Sequence, residues 1–443
     1  MNKQGLKTNG TRRWLGISIL LCLVGCSSVS ETQVASHGNQ PTEAAVDKGA
    51  SNDNGSTMKE HNGSAGGPTD ERLVSANTSF GFKLYHEVAK ESAGKNIFIS
   101  PASIALSLAM TYNGAEAETK QAMARGLEAQ GLTVDELNRA YAGLKGELEN
   151  PDPKVQLQIA NSLWARRGID FNSEFIARNK EFYGAEVTTL DFADPAAPGT
   201  INAWVKDKTK DKIDKIVDSI DPQSALFLIN AIYFKGAWSA EFDKAKTKDD
   251  VFTTASGSKK RLPMMTQSGK YNYYETRNFQ AVSLPYGSGR VSMYVFLPSP
   301  GTSINQFAPS LKTANWDTWM KEFSKTEGVI VLPRFRVEYE ILLNESLKTL
   351  GMGVAFDPDR ANFTGMFSGG QNAFISKVKH KTFAEVNEEG TEAAAVTSTE
   401  MVVTSMPAQR KTFRMVVDRP FFLAIRDNKT GSVLFLGSIV DPQ

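Results

Sequence analysis

The sequence predicts an α+β fold built on large, mainly antiparallel sheets. Helical apolar spacing is concentrated in the first part of the folded chain, strand patterns dominate the second, and the two do not alternate as βαβ units. With 41% apolar and 22% charged residues, the composition is that of a soluble globular protein. The 443 residues suit two modest domains or one large one, and no internal repeat is visible.

Residues 1–25 read as a signal peptide. Lys3, Lys7, Arg12 and Arg13 precede an apolar run at 14–24 that is too short for an ordinary membrane-spanning helix. The run ends in Leu23-Val24-Gly25-Cys26, which resembles a bacterial lipoprotein cleavage box with Cys26 lipidated as the mature first residue. Ser27 behind it resembles the pattern that sends lipoproteins to the outer membrane of a Gram-negative cell. A plain signal peptide with an incidental cysteine is the alternative. Cys22 leaves with the signal, so the folded part has no thiol and rests on its core without disulfides. Removing the four signal cations from 50 leaves 46 against 49 acids, about −3 rather than the formal +1. That gives no basic excess to suggest nucleic acid. Residues 27–69, rich in Ser, Gly, Asn, Thr and Ala, bury too little to offset ordering entropy. They read as a flexible tether behind Cys26, with a reach of roughly 35–40 Å.

The folded body is expected over residues 70–443. Phe80, Leu84 and Val88 share one face of a helix at 76–91. A short strand at 97–100 leads to a helix capped by Ser100, opened by Pro101 and buried through Ile104, Ala105, Leu108 and Ala109. Surface helices follow at 115–126 and 133–149, then a strand at 156–166. The helix expected at 201–216 alternates Lys and Asp, a solvated face rather than a polyanion site because each lysine has an acid nearby. Strands are expected at 224–234, 271–274, 281–286, 291–297 and 329–339. A helix at 343–350 precedes Gly351, 374–385 reads as a strand, and 413–440 supplies a strand pair.

Residues 388–405 stand apart. No proline interrupts them and no glycine follows Gly390; the only later charges are Glu392 and Glu400, which share a parity. Extended, they would put Thr391, Ala393, Ala395, Thr397, Thr399, Met401 and Val403 on one uncharged face. An alanine-rich helical turn or an exposed surface loop would account for the same composition.

The stretch Asn387-Glu388-Glu389-Gly390-Thr391-Glu392-Ala393-Ala394-Ala395 resembles the hinge of the serpins, a family of protease inhibitors. Other stretches resemble serpin motifs in the same order: Asn96-Ile97-Phe98-Ile99-Ser100-Pro101, Asn230-Ala231-Ile232-Tyr233-Phe234-Lys235-Gly236 with Trp238, and Pro263-Met264-Met265. Asp418-Arg419-Pro420-Phe421-Phe422 and Leu434-Phe435-Leu436-Gly437 complete the set. The resemblance covers about residues 70–443. It implies three mainly antiparallel sheets, about nine helices and an exposed reactive-centre loop. It also implies that His380 lies beneath an opening sheet, where it meets Ser100, Ser103 and Asn230.

The mechanism so implied is suicide inhibition of a serine, or a cysteine, endopeptidase. The protease attacks the loop, an acyl-enzyme forms, and the freed loop enters the sheet as a central strand. The family's spacing puts the cut at Thr404–Ser405, with Val403–Thr404 and Ser405–Met406 as neighbours, because 405–420 is longer than the family pattern. Behind Met401, Val402 and Val403, Thr404 suits an elastase-like or subtilisin-like pocket; Arg410 and Lys411 lie beyond Pro407, too far for a trypsin-like cut. The protein is then a monomer with no metal or cofactor, partnered by a protease and by the membrane through its lipid. No H-E-x-x-H, G-x-S-x-G, P-loop or C-x-x-C pattern supports an enzyme. A serpin-fold binding protein that does not trap proteases, and a hydrolase using His86 or His380, are the alternatives.

Overall fold

The computed structural model describes residues 69–149, 151–224, 226–391 and 412–442. Cys26, Glu392, Ala393, Ala394, Ala395, Thr404 and Ser405 lie outside the described residues, as does the tether.

The first half is helix-rich: α1 (Glu71–Glu91), β1 (Ile97–Ile99), α2 (Pro101–Tyr112), α3 (Ala117–Gly126), α4 (Val134–Leu148), β2 (Val155–Arg166), α5 (Ser173–Tyr183), β3 (Glu186–Leu190) and α6 (Ala197–Lys208). Strands then dominate: β4 (Leu226–Ala237), β5 (Lys248–Thr253), β6 (Lys259–Glu275), β7 (Phe279–Tyr286) and β8 (Val291–Pro298). After α7 (Ile304–Phe307) and α8 (Thr313–Glu322) come β9 (Ser324–Pro333), β10 (Phe335–Leu342) and α9 (Asn344–Leu347). The chain closes with β11 (Ile375–Val386), β12 (Gly390–Thr391), β13 (Phe413–Val416), β14 (Phe421–Asp427) and β15 (Val433–Ile439).

The helix starts follow local chemistry. Ser100 accepts the N–H of Ser103, Pro101 takes the first turn, and every residue of α2 is buried. Thr133 and Glu136 close a capping box at α4. Gly184, at φ 60°, ends α5.

Hydrogen bonds trace two sheets among the described residues. One runs β1-β15-β14-β8-β7-β6-β9-β13 with β5 added to β6; the other runs β10-β11-β12-β4-β2-β3. The resemblance implied three sheets. The 17-residue β6 is the shared member: its first part pairs with β5 and its last part with β7, so two of the three form one ladder. Helix α2 lies against β15 of one sheet and β2 and β4 of the other, in the core between them. The opposite face of β4 is covered too. There Ile201, Val205, Ile213 and Ile216 pack on Phe227, Ile229 and Ala231.

Three expectations need correction. The helix expected at 201–216 stops at Lys208, because Thr209 folds back on Val205 and takes the N–H of Ile213, while Lys210 and Asp211 turn left-handed at φ 51° and 61°. Asn202 then ties the following segment flat by accepting from the N–H groups of Ile216 and Val217. The single strand expected at 329–339 is two, β9 and β10, in different sheets; Pro333 ends the first and Arg334 makes the corner. The pair expected at 413–440 gains a third member, β13, parallel to β9.

Candidate functional site

Strands β4 and β11 run parallel from Leu226 and Ile375, with one bulge between Ile375 and Lys377, and in constant register from Phe227 and Lys377 to Tyr233 and Phe383. Past that point they part. Strand β12 lies antiparallel to both, with Thr391 facing Val386 on one side and Gly236 on the other. The root of the 388–405 segment is thus seated in the middle of a sheet.

Several contacts hold that root. Asn387 Oδ1 accepts from the N–H groups of Glu389 (3.0 Å) and Gly390 (3.2 Å), tightening the turn out of β11. The Glu388 carboxylate is buried, and Arg334 donates to both its oxygens from Nε at 2.8 Å, with Thr247 Oγ1 at 2.5 Å. Burial raises this carboxyl, but the bonds from Arg334 and Thr247 outweigh it and hold it below its ordinary value. Trp238 donates its backbone N–H to Glu389 and its indole N–H to the Asn387 carbonyl, each at 2.9 Å, and Lys244 pairs with the Glu389 carboxylate. Gly390 is required here: a Cβ would lie 2.1 Å from the Gly236 carbonyl oxygen, at a φ of 154°. Thr391 is fully buried, its hydroxyl 2.7 Å from that of Tyr286, whose ring stacks on Trp238 at 4.4 Å.

Farther along the seam the structure brings together His380, Asn230, Ser103 and Ser100. His380 Nε2 accepts the Ser100 N–H (3.1 Å), which leaves the proton on Nδ1 to be donated to Asn230 Oδ1 at 2.5 Å. Asn230 Nδ2 donates to the Ser103 hydroxyl and to Asn161 Oδ1, both at 2.5 Å. The Ser100 hydroxyl donates to the Leu434 carbonyl (2.7 Å) and Thr382 Oγ1 to that of Phe98 (2.5 Å). The cluster therefore ties β11 to β4, both to α2, and β11 to β1. His86, by contrast, lies far along the chain on α1 and bonds the Ala308 carbonyl at 2.9 Å.

Burial lowers the His380 pKa from 6.5 to about 3, so the ring is neutral in the folded state. An unfolded chain gains that proton near pH 6.5 and the folded one does not. His380 thus contributes stability above that pH, and it is lost as pH falls toward 3, by about 1.4 kcal/mol per unit. Glu388, its carboxyl held low, adds a second loss below about pH 4.5. Unfolding midpoints measured from pH 7 to 4 should fall, and His380→Gln should flatten the upper part of that slope.

Asn161, Thr382, Arg334, Thr247 and Tyr286 were not singled out from the sequence. Pro333, inside the run expected as one strand, was a signal that could have shown the corner at Arg334; the others are ordinary strand and loop residues whose roles depend on distant partners. Among the described residues no group of three His, Cys, Asp or Glu side chains is placed to hold a metal ion.

This geometry defines a class: a large α+β protein in which the two-residue strand Gly390–Thr391 is seated between two central strands of a sheet. The chain belongs to the serpin family, matching its profile, serpin (serine protease inhibitor), over residues 75–442. It is 35% identical to human leukocyte elastase inhibitor over 385 residues, 84% of this chain and all of that protein. The crystal structure of a thermophilic serpin, Tengpin, in the native state aligns with TM-score 0.79 at 33% identity, covering 85% of this chain and 96% of that one. Human thyroxine-binding globulin complexed with thyroxine aligns at TM-score 0.77 and 28% identity, over 84% and 99% of the two chains.

Proposed function

We propose that this protein inhibits serine endopeptidases, and cysteine endopeptidases by the same route, as a suicide substrate. The observation that carries the reading is the register of β12. Each residue forward from Thr391 is one residue back along both β4 and β11, and those two strands already share the matching offset. A strand continuing from Thr391 would enter without sliding either neighbour. Ala393 would face Ala384 and Phe234, Ala395 would face Thr382 and Ile232, and Thr397 would face His380 and Asn230. All these flanking side chains are buried, and the incoming ones are small. The Thr397 hydroxyl, both donor and acceptor, would replace the bond broken when His380 leaves Asn230.

Strand β4 begins at Leu226, which would face Met401, so the slot takes residues up to about 401 and the cut belongs beyond it. That supports Thr404–Ser405 as the scissile bond. The apolar approach Met401, Val402, Val403 and the likeness to leukocyte elastase inhibitor support an elastase-like or subtilisin-like target. We further propose an exported monomer anchored through lipidated Cys26 at the outer membrane of a Gram-negative cell, a reading supported by the sequence of the leader; the mass of the N-terminal peptide tests it.

Incubation with an elastase-like protease should give a covalent complex that survives boiling in detergent. Clean cleavage without that band would overturn the inhibitor reading. A carrier reading then gains weight from a cleft of about 520 Å³ lined by His86, Ala89, Lys90, Asn305, Ala308 and Lys312, and from the relative solved with thyroxine.

A further inference from the structure

We propose that the face of the β4–β11 seam turned away from α2 reads the charge pattern of the entering strand, with Lys377 and Lys235 positioning it through Glu400 and Glu392. This rests on insertion as the mode of action. The occupant is a named segment of this chain, residues 392–401, which follows β12 in sequence.

From Lys377, past the bulge, the even-numbered residues of β11 face the core, and Lys377, Lys379 and Lys381 face the other way. Two of these are committed. Lys379 donates to the Ile216 carbonyl (2.7 Å) and pairs with Glu340 (2.9 Å); Lys381 donates to the Lys215 carbonyl (2.9 Å) and pairs with Glu338 (2.8 Å). Lys377 differs: its ammonium stands 5.5 Å from the centroid of the Phe227 ring, and among the described residues no carboxylate lies within ion-pair distance. Lys235, half-buried on the same face of β4, opposite Gln156, is in the same position.

The register already set by β12 settles which loop residues would meet them. Glu400 falls opposite Lys377 on one side and Phe227 on the other; Glu392 falls opposite Lys235 and Glu385. Directly opposed residues of neighbouring strands share a face and bring their Cβ atoms to about 4.5–5.5 Å, within reach of an ion pair. Insertion would also separate Lys377 from the Phe227 ring by one whole strand, so its ammonium would leave an aromatic face and meet a carboxylate. Between the two acids the outward positions are Ala394, Val396 and Ser398, uncharged where Lys379 and Lys381 are already bonded. A slip of two residues would set Glu400 against Ile375 or against committed Lys379, and a slip of one would turn both acids into the core. Two acids eight apart, meeting two uncommitted lysines, thus mark one register. Glu400–Lys377 is the stronger pair, because Glu385 opposes Glu392.

The test compares the rate at which the cleaved loop enters the sheet, followed by quench and detergent-stable complex with an elastase-like protease, in the wild type and four variants. Lys377→Glu and Glu400→Lys should each slow entry roughly three- to tenfold, and the double swap should restore it to within about twofold. Glu400→Gln, a change that leaves the folded body intact, should give about a twofold effect that fades in high salt. Equal rates in all variants, or a double swap no better than the singles, would overturn the charge reading while leaving insertion intact. Should the nicked wild-type protein gain no stability, insertion itself fails, a separate outcome.

Discussion

One cut near residue 404 is expected to raise the midpoint of thermal unfolding by roughly 10 °C or more. The entering strand would make ladders with both β4 and β11 and would cost only the ladder those two share in the intact protein. The net gain is about a dozen backbone hydrogen bonds, on the order of 10 kcal/mol. For a folded body of roughly 370 residues, unfolding entropy is about 0.8 kcal/mol per degree, which converts the gain to about 13 °C. Burial of Met401 and the threonine methyls adds to it. A gain of that size rivals the whole stability of an ordinary domain, so the intact form is held by a barrier and not by depth. Calorimetry of intact and nicked protein checks this; coincident midpoints would remove the basis for trapping a protease.

Local signals in the chain located some of these parts well and hid others. The cap at Ser100 and Pro101, the long buried β4 and the strand that leads into the hinge are written in adjacent residues, and the structure has their ends within three residues. The end of α6 is not so written. Helical spacing continues through Ile213 and Ile216, but those side chains reach the same apolar surface of β4 from a non-helical segment that Thr209 and Asn202 hold in place. Periodicity reports that residues face a core, not which backbone brings them there. The hinge's anchor was hidden for a related reason. Arg334 finds Glu388 54 residues later, and Pro333, the one local mark that the chain leaves one sheet for another, lay inside a run expected as a single strand. Asn161 joins the His380 cluster through Asn230, from a stretch read in sequence only as a strand. Contacts between neighbours in sequence could be read; contacts that depend on strand order needed the fold.

Strand order also sets the sharpest mutational contrast. Ala393→Arg should all but abolish the covalent complex, by about 100-fold, while the protein is still cut at the same bond. Entry of the strand would carry residue 393 between Ala384 and Phe234, which are 1% and 0% exposed. A guanidinium there is a buried charge without a partner, and its cost of several kcal/mol is comparable to the drive for insertion. Slowed entry gives water time to release the acyl-enzyme, so the protease would regain activity and the chain would behave as a substrate. Ala394→Arg is the control, one residue on and of identical size. Its side chain would emerge on the other face, beside the buried rings of Phe383 and Tyr233, where the Arg336 guanidinium already stands 5.0 Å from the Phe383 ring centroid and the same ring face is offered to a second cation. That variant should keep most of its complex-forming yield. Equal loss in both would mean that bulk anywhere in the segment matters and parity does not, and the register drawn from Thr391 would then be wrong.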